Sequence, residues 1–354
     1  MQNTTFVETE IGGKIIRLES GLLARQAQGA VTITLGETIL FSAVTATAEP
    51  REGIDYFPLQ VEYREKFYAS GQFPGGFFKR EARPSEKEIL TARLTDRPIR
   101  PLFHETYNND VQINNMLLSA DMENDSDILS ITASSAALTI SELPFLGPVS
   151  AVRIGRVQGE FVVNPTNKER EESDLDLVYA ATRDYPVMIE GGGNEVKEED
   201  LIAAMKFAHP ECIKLIDAQL ELRSKMGLPE KVIEEIKPDT TLLDAAREIA
   251  ASDFNTALDI VAKQERGAAV EAIRKNLEAV MLEKFPEMTA EEFRFTFDKL
   301  NIEVLRKKAL EENKRVDGRD FDTVRPLDAQ LGFLPRAHGS ALFNRGETQA
   351  LGTV

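Results

Sequence analysis

The sequence predicts an α+β protein that also contains an all-helical segment. Residues 11–66 predict strands, with residues 29–44 rich in the strand-favouring Val, Ile and Thr, and short extended runs recur between residues 147 and 189. Residues 242–313 instead repeat Ala, Glu and Lys without any strand signal. A chain of 354 residues is longer than one ordinary domain, so two or three domains are expected.

The strand-rich regions are punctuated by turn residues. Leu35-Gly36-Glu37 can divide residues 29–44 into a hairpin, and residues 111–119 predict another strand. Asp125-Ser126 is expected to cap a helix whose small side chains suit close packing. A second small sheet is predicted over residues 147–157, 160–164, 174–182 and 186–189. Gly191-Gly192-Gly193 follows; it lacks the spacing of a nucleotide-binding fingerprint and is interpreted as a turn.

One helix has clear start and stop signals. Ser85 is expected to be its N-cap, with Glu86 and Glu88 in the first turn, where the positive end of the helix dipole favours carboxylates. Its predicted apolar stripe consists of Ile89, Leu90 and Leu94. Because Pro98 restricts the residue before it, we expect the helix to end near Asp96.

The overall charge argues against nucleic-acid binding, but one region reverses its sign. The chain has 42 basic and 59 acidic residues, a net charge of −17, and a uniformly acidic surface repels RNA and DNA. Residues 77–100 nevertheless contain seven basic residues and four acidic ones. Since fields are screened over about 10 Å, this local excess can still attract phosphates.

Several classes of protein are disfavoured by the composition. The one cysteine, Cys212, cannot form a disulfide within the chain, which fits a reducing cytoplasm. The three histidines are far apart and predict no zinc site. The amino terminus has no export signal, and no run of 18 apolar residues occurs, so no membrane partner is expected.

The most distinctive stretch is residues 61–103. A Pro74-Gly75-Gly76 breaker precedes Phe77-Phe78-Lys79-Arg80, so two rings and two cations are expected on an exposed loop. Rings on which bases can stack, beside cations that follow phosphates, are typical of single-stranded nucleic-acid binding. An alternative is that the two rings are buried at a subunit contact.

A hairpin sequence occurs twice in the chain. Residues 337–354 align without a gap on residues 27–44, at an offset of 310. The identical pairs are Ala27 and Ala337, Gly29 and Gly339, Gly36 and Gly346, Glu37 and Glu347, Thr38 and Thr348, and Val44 and Val354. Chance similarity between two hairpins is the alternative. Duplication predicts that the second copy continues beyond Val354.

These features together resemble one family. The segments GGFFKRE, RPSEKEILTARL and DRPIRPLF, with HGSALF and RGETQ in the second copy, are similar to bacterial polynucleotide phosphorylases. The resemblance implies two ribonuclease-PH-like (ribosomal-protein-S5-domain-2-like) cores of α+β type joined by an all-α helical domain. The implied domains are a first core over residues 1–235, with subdomains at about 1–145 and 146–235, a helical domain over 240–312, and opening strands of a second core over 313–354.

The resemblance also implies an activity. Members degrade single-stranded RNA processively from 3′ to 5′, with inorganic phosphate as co-substrate and magnesium required, and release nucleoside diphosphates in messenger RNA turnover. A homotrimer is implied, as are degradosome partners such as an endoribonuclease or a helicase. The family's catalytic residues and metal ligands are expected beyond Val354, so none is assigned here. A non-catalytic scaffold subunit of an exosome-like ring and a protein-interaction module remain alternatives.

The same resemblance assigns RNA-binding residues. They are Phe77, Phe78, Lys79, Arg80, Arg93, Arg97, Arg100 and Arg319. Lys79 stands where many members have arginine, which leaves phosphate contact possible but puts guanidinium stacking in doubt. The three arginines after residue 90 could instead cap the helix or pair with carboxylates such as Asp96, and Arg319 could pair with Asp317 or Asp322.

Overall fold

The computed structural model describes residues 4–51, 54, 56–75, 77, 79–81, 83–104, 107–231 and 240–354. Gly76 and Phe78, from the predicted RNA-binding loop, lie outside the described residues. The chain divides into two compact units, over residues 1–235 and 236–354. Every helix that the structure describes is too short or too polar to cross a lipid bilayer.

A six-stranded sheet forms one layer of the first unit, as far as the structure describes it. Its strands are β1 (Thr5–Ile11), β2 (Lys14–Ser20), β3 (Gly29–Leu35), β4 (Thr38–Ala46), β5 (Leu59–Glu65) and β6 (Val111–Ser119), in the order β1-β2-β3-β4-β6-β5. Neighbours are antiparallel except β5 and β6. A parallel pair needs a crossover connection, and helix α1 (Glu86–Ile99) lies between these two strands in the chain. Helix α1 packs on β5, which is an edge strand of the sheet.

The second layer contains the small antiparallel sheet that the sequence predicts. Its strands are β7 (Ser150–Val157), β8 (Glu160–Val163), β9 (Leu175–Ala181) and β10 (Pro186–Gly193), in the order β10-β9-β7-β8. The helices around the two sheets are α2 (Asp127–Ile140), α3 (Asn167–Glu172) and α4 (Glu198–Lys225). Helix α2 packs against strands of both sheets, and α4 covers β1 and β7.

Helix α2 is buried on all sides, which its small residues make possible. A Cβ on Gly29 of β3 would lie 2.0 Å from the carbonyl oxygen of Ala137, so strand and helix are in backbone contact. The buried hydroxyl of Ser135 donates to Gln219 Oε1 at 2.7 Å, and Gln219 Nε2 donates to the Val149 carbonyl at 3.0 Å. These bonds offset the cost of removing polar groups from water.

The second unit begins with the predicted helices. They are α5 (Thr241–Ala257), α6 (Lys263–Lys284) and α7 (Ala290–Glu311), and their core includes Phe254, Leu277, Met281, Phe293, Phe297 and Leu300. Thr289 and Glu292 form a capping box that starts α7. An antiparallel sheet follows, of β11 (Leu327–Leu331), β12 (Ser340–Arg345) and β13 (Thr348–Thr353).

The repeated hairpin is confirmed by its register. Leu35 pairs with Thr38 in the first copy, and Arg345 pairs with Thr348 in the second, which preserves the offset of 310. The turn glycines also match, because Gly36 has φ 61° and Gly346 has φ 59°, both in the left-handed region that favours glycine. The two copies therefore share their strand pairing and turn conformation, although only the six listed residue pairs are identical.

Helix α1 differs from its prediction in length and orientation. It runs to Ile99 instead of ending near Asp96. Pro98 lies in the last turn, where the missing N–H removes only one helical hydrogen bond. Pro98 and Ile99 are both buried, so packing favours the longer helix. Ile89 and Leu90 of the predicted apolar stripe are exposed. The buried face consists of Glu88, Thr91, Leu94, Thr95, Pro98 and Ile99, so the prediction was right for Leu94 and wrong for Ile89 and Leu90.

The glycine triplet was also misassigned. Residues 191–193 belong to strand β10 and are not a turn. A Cβ on Gly191 would lie 2.2 Å from the carbonyl oxygen of Asp176 on β9, so at this position the absence of a side chain permits close strand contact.

The matched glycines of the repeat provide a test of the contact between α2 and β3. We expect Gly29→Ala to destabilise the first unit by about 3 kcal/mol, because the methyl group meets a backbone carbonyl that cannot move aside. Gly339→Ala is the control, since the nearest described atom to a Cβ there is Val354 Cβ, at an ordinary contact distance of 3.7 Å. Urea unfolding of both variants, localised by hydrogen exchange in α2, gives the comparison; equal stability would contradict the packing argument.

Candidate nucleic-acid interface

The predicted RNA-binding loop is held at both ends by one carboxylate. Glu88 in the first turn of α1 accepts hydrogen bonds from the N–H of Glu65, at the end of β5, at 2.9 Å, and from the N–H of Ser85 at 2.6 Å. The Ser85 hydroxyl in turn accepts from the N–H of Glu88 at 3.2 Å, which completes a capping box. Residues 66–85 therefore leave and re-enter the fold at fixed points.

Glu88 stays ionised although it lies on the buried face of α1. Burial by itself would raise its pKa, but the N–H groups of Ser85 and Glu65 stabilise the carboxylate and bring the pKa below its ordinary value. Arg64 Nε lies 3.5 Å from Glu88 Oε1 and acts in the same direction. The two hydrogen bonds that Glu88 accepts are thus charge-assisted, and such bonds are stronger than those between neutral groups.

Two phenylalanine residues on this loop are largely exposed. Phe77 is 93% exposed and Phe73 is 92% exposed, the two highest values among the large hydrophobic residues that the structure describes. Phe73 was not predicted. The available signal was Pro74, which favours an extended backbone at Phe73, together with the left-handed Gly71 that ends a 3-10 helix just before it.

The cations of the loop have different environments. Lys79 has φ 50°, a left-handed conformation that costs a lysine about 1–2 kcal/mol and is found at functional loops more often than elsewhere. Arg80 is exposed on the same loop. Lys66 forms an ion pair within the loop, because its Nζ lies 2.7 Å from Glu81 Oε2. This contact joins the two parts of the loop that carry these residues.

The three predicted arginines of α1 are not equivalent. Arg93 is exposed and has no hydrogen bond or ion pair from its guanidinium to any part of the chain that the structure describes. Arg97, one turn later, pairs with Glu190 of β10. Both line a groove of about 770 Å³ between α1 and β5. Arg93 is therefore the member best placed to meet a phosphate.

Arg100 has the structural contacts that were left open as an alternative. Its guanidinium bonds to Asp96 at 2.6 Å and 3.0 Å. It also donates to the carbonyls of Phe57 at 2.9 Å and Leu59 at 3.1 Å. The ion pair with Asp96 is confirmed, and Arg100 joins the end of α1 to the start of β5.

Arg319 belongs to the second unit and not to the loop. Its Nη2 lies 2.8 Å from Asp317 Oδ2, and its Nη1 donates to the Thr323 carbonyl at 2.6 Å. The ion pair with Asp317 that was left open is confirmed. The predicted RNA-binding residues therefore divide into those of residues 77–100 and this one arginine.

A partly buried charge cluster in the first unit was not visible in the sequence. Arg153 pairs with Asp127 and Asp176, while Arg170 pairs with Asp176 at 2.9 Å and with a further aspartate, Asp125, at 2.6 Å. Each carboxylate is engaged by an arginine. The set does not fit a magnesium ion, and no group of three or more His, Cys, Asp or Glu residues in the described residues has a metal-site arrangement.

Comparison with known proteins supplies the family. Residues 13–144 and 147–211 match domains 1 and 2 of the 3′ exoribonuclease family, and residues 241–320 match the RNA binding domain of polyribonucleotide nucleotidyltransferase. The chain belongs to the polyribonucleotide nucleotidyltransferase family. The ribonuclease-PH-like fold with an all-helical domain is confirmed by these matches and by the described α+β core and helices.

Curated relatives agree with this membership. Polyribonucleotide nucleotidyltransferases of Geobacter sulfurreducens and Methylacidiphilum infernorum are 45% and 43% identical over 98% of this chain and 49% of their own length. That of Mesorhizobium japonicum is 46% identical over 99% of this chain and 49% of its own length. The chain spans about half the length of the curated relatives it matches. Rice Rrp46, a solved structure, covers 64% of this chain and 95% of its own at 13% identity, with a TM-score of 0.46, too low to support an inference.

The Glu88 anchor can be tested by removing its carboxylate. We expect Glu88→Ala to destabilise the first unit by about 1–3 kcal/mol, since two partly buried N–H groups lose their acceptor. Proteolysis within residues 66–85 should also accelerate. The pKa of Glu88 is lower in the folded protein than in the unfolded chain. Its contribution to the free energy of unfolding is therefore fully present above the unfolded pKa and is lost as pH falls through the folded pKa.

The control for that variant is Glu86→Ala, which removes an exposed carboxylate from the same helical turn. Urea unfolding between pH 7 and pH 3, with limited proteolysis at pH 7, measures both effects. Equal unfolding midpoints and cleavage rates for the two variants would show that Glu88 does not anchor the loop.

Proposed function

We propose that the chain takes part in the phosphorolytic 3′-to-5′ degradation of single-stranded RNA, and that it contributes the surface that holds the strand. Family membership supports the activity class, because the curated relatives are named for it. The observation that carries the RNA-holding role is the pair of exposed rings, Phe73 and Phe77, on a loop whose two ends are tied to Glu88.

The exposed rings need a physical reason. Leaving a phenylalanine side chain in water forgoes about 2 kcal/mol relative to burying it, and a soluble protein normally avoids this twice on one short loop. Stacked bases cover such rings and recover that free energy. Since the loop is tied at both ends, less conformational entropy is lost when RNA binds.

Charge supports the same interpretation. Lys79, Arg80 and Arg93 lie on the loop or the helix that follows it, in a chain whose net charge is −17. A local positive field on an acidic protein attracts the strand to this place and leaves the rest of the surface repulsive. We expect binding to weaken as salt rises, which a docking site for an uncharged protein surface would not show.

Further properties of the family are proposed with the activity. Phosphate would be the co-substrate, and magnesium would neutralise the anions that meet at the phosphodiester; no ligand to it is assigned among the described residues. A homotrimer with a central RNA channel, a cytoplasmic location, a role in messenger RNA turnover and degradosome partners belong to the same proposal.

The stacking role can be measured ring by ring. We expect Phe73→Ala and Phe77→Ala each to weaken binding of a labelled single-stranded oligonucleotide by about 1–3 kcal/mol for every stacked base that is lost. Tyr185→Ala is the matched control, because this exposed aromatic residue lies in the turn between β9 and β10. Fluorescence anisotropy at two salt concentrations provides the affinities. If the three variants bind alike, the loop does not stack bases.

The activity itself needs a separate assay. We expect phosphate-dependent release of nucleoside diphosphates from an RNA homopolymer in the presence of magnesium, from the full reading frame that contains this chain. The Geobacter sulfurreducens relative serves as the positive control. RNA binding without any release from the full reading frame would contradict phosphorolysis and support the non-catalytic scaffold alternative.

A further inference from the structure

Four arginines converge in the second unit, away from the aromatic loop in the sequence. Arg319, Arg325 and Arg345 line two adjoining clefts of about 300 and 430 Å³, and Arg315 lines the smaller one. The family resemblance assigns RNA binding to Arg319 alone of the four, and gives no role to Arg315, Arg325 or Arg345.

Their only ion-pair partner among the described residues is one carboxylate. Arg319 bonds to Asp317 at 2.8 and 2.9 Å, whereas the nearest guanidinium nitrogens of Arg315 and Arg325 are 3.8 and 3.9 Å from it, beyond hydrogen-bond distance. The guanidinium of Arg345 makes no hydrogen bond or ion pair within the described part of the chain. Most guanidinium N–H groups of Arg315, Arg325 and Arg345 therefore have no hydrogen-bond acceptor among the described residues.

The charge balance of the clefts is positive. Six cationic side chains line them, Lys263, Arg266, Arg315, Arg319, Arg325 and Arg345, against three acidic ones, Asp317, Asp322 and Glu347. A hydrogen bond from Arg319 lowers the pKa of Asp317, so this carboxylate keeps its charge at neutral pH. The residues that line the two clefts therefore carry a net charge of about +3.

The fold itself brings the arginines together. The N–H of Gly346 donates to the Pro326 carbonyl at 2.8 Å, which places the turn after Arg345 beside Arg325. Arg266 has a different role, because its Nη1 donates to the carbonyls of Ile260, Val261 and Val316 at 2.8–2.9 Å. The start of α6 is thereby tied to the chain segment that carries the arginines, and Arg266 is not counted as a ligand-binding group.

We propose that Arg315, Arg319, Arg325 and Arg345 form a binding site for a phosphorylated anion. A planar guanidinium can donate two parallel hydrogen bonds to phosphate oxygens, and several of them around one cleft suit a ligand with more than one phosphoryl group. The larger cleft has the volume of a small-ligand site. Two sources share this chemistry: the backbone of an RNA strand and a free nucleoside diphosphate or similar polyphosphate.

The site does not depend on the stacking proposal. No residue of the aromatic loop takes part, so either idea can fail without the other. In particular, Phe73→Ala and Phe77→Ala are expected to leave anion binding by the arginine cluster unchanged.

The test uses inorganic pyrophosphate as the probe, in titration calorimetry without added metal. We expect Arg345→Ala and Arg325→Ala each to weaken pyrophosphate binding by about tenfold or more, because each removes a charge-assisted donor. Arg336→Ala is the matched control, since Arg336 is exposed on the same segment and lines neither cleft. Arg345→Lys should bind at an intermediate level, as it keeps the charge but not the paired donors.

Stability measurements keep the result interpretable. Arg345 has no ion pair to lose in the described residues, so Arg345→Ala should unfold at the same urea concentration as the parent chain. Competition then separates the sources: displacement of pyrophosphate by a short oligonucleotide indicates RNA backbone, and displacement by a nucleoside diphosphate alone indicates a free nucleotide. Absence of pyrophosphate binding, or equal affinities for the Arg345→Ala and Arg336→Ala chains, would overturn the proposal.

Discussion

The carboxylate of Glu88 is the contact on which the candidate interface depends. It accepts hydrogen bonds from the end of strand β5 and from the N-cap of helix α1, the two points where residues 66–85 leave and rejoin the fold. A loop of this length would otherwise sample many conformations, and ordering it on a ligand would cost conformational entropy. With both ends fixed, Phe73 and Phe77 can stay exposed between them.

The repeated hairpin shows how one backbone serves two purposes. In the first copy Leu35 precedes the turn glycine and is buried in the core, with α2 in backbone contact at Gly29. In the second copy Arg345 occupies the equivalent position and lines a charged cleft. The register of the strands is the same, so the difference lies in the side chains and in what packs against them.

The number of basic residues in a stretch of sequence does not show which of their charges are available at the surface. Arg100 is a basic residue whose guanidinium group is bonded to Asp96, and Arg153 is enclosed between two aspartates. Such residues add little field toward solvent, because their partners cancel it. Arg93 and Arg345 keep unused donors among the described residues, and this distinction depends on neighbours that are distant in sequence.

The sequence by itself determined the α+β class, the helical block, the hairpin turns at Gly36 and Gly346, and the helix start at Ser85, because local propensity, turn chemistry and capping decide these features. Tertiary structure decided the rest. Which face of α1 is buried, why Gly191 lies in a strand, how exposed Phe73 is and which arginines are paired all depend on contacts between residues far apart in the chain. Local patterns carry no information about those contacts, since burial and ion pairing are properties of the assembled layers.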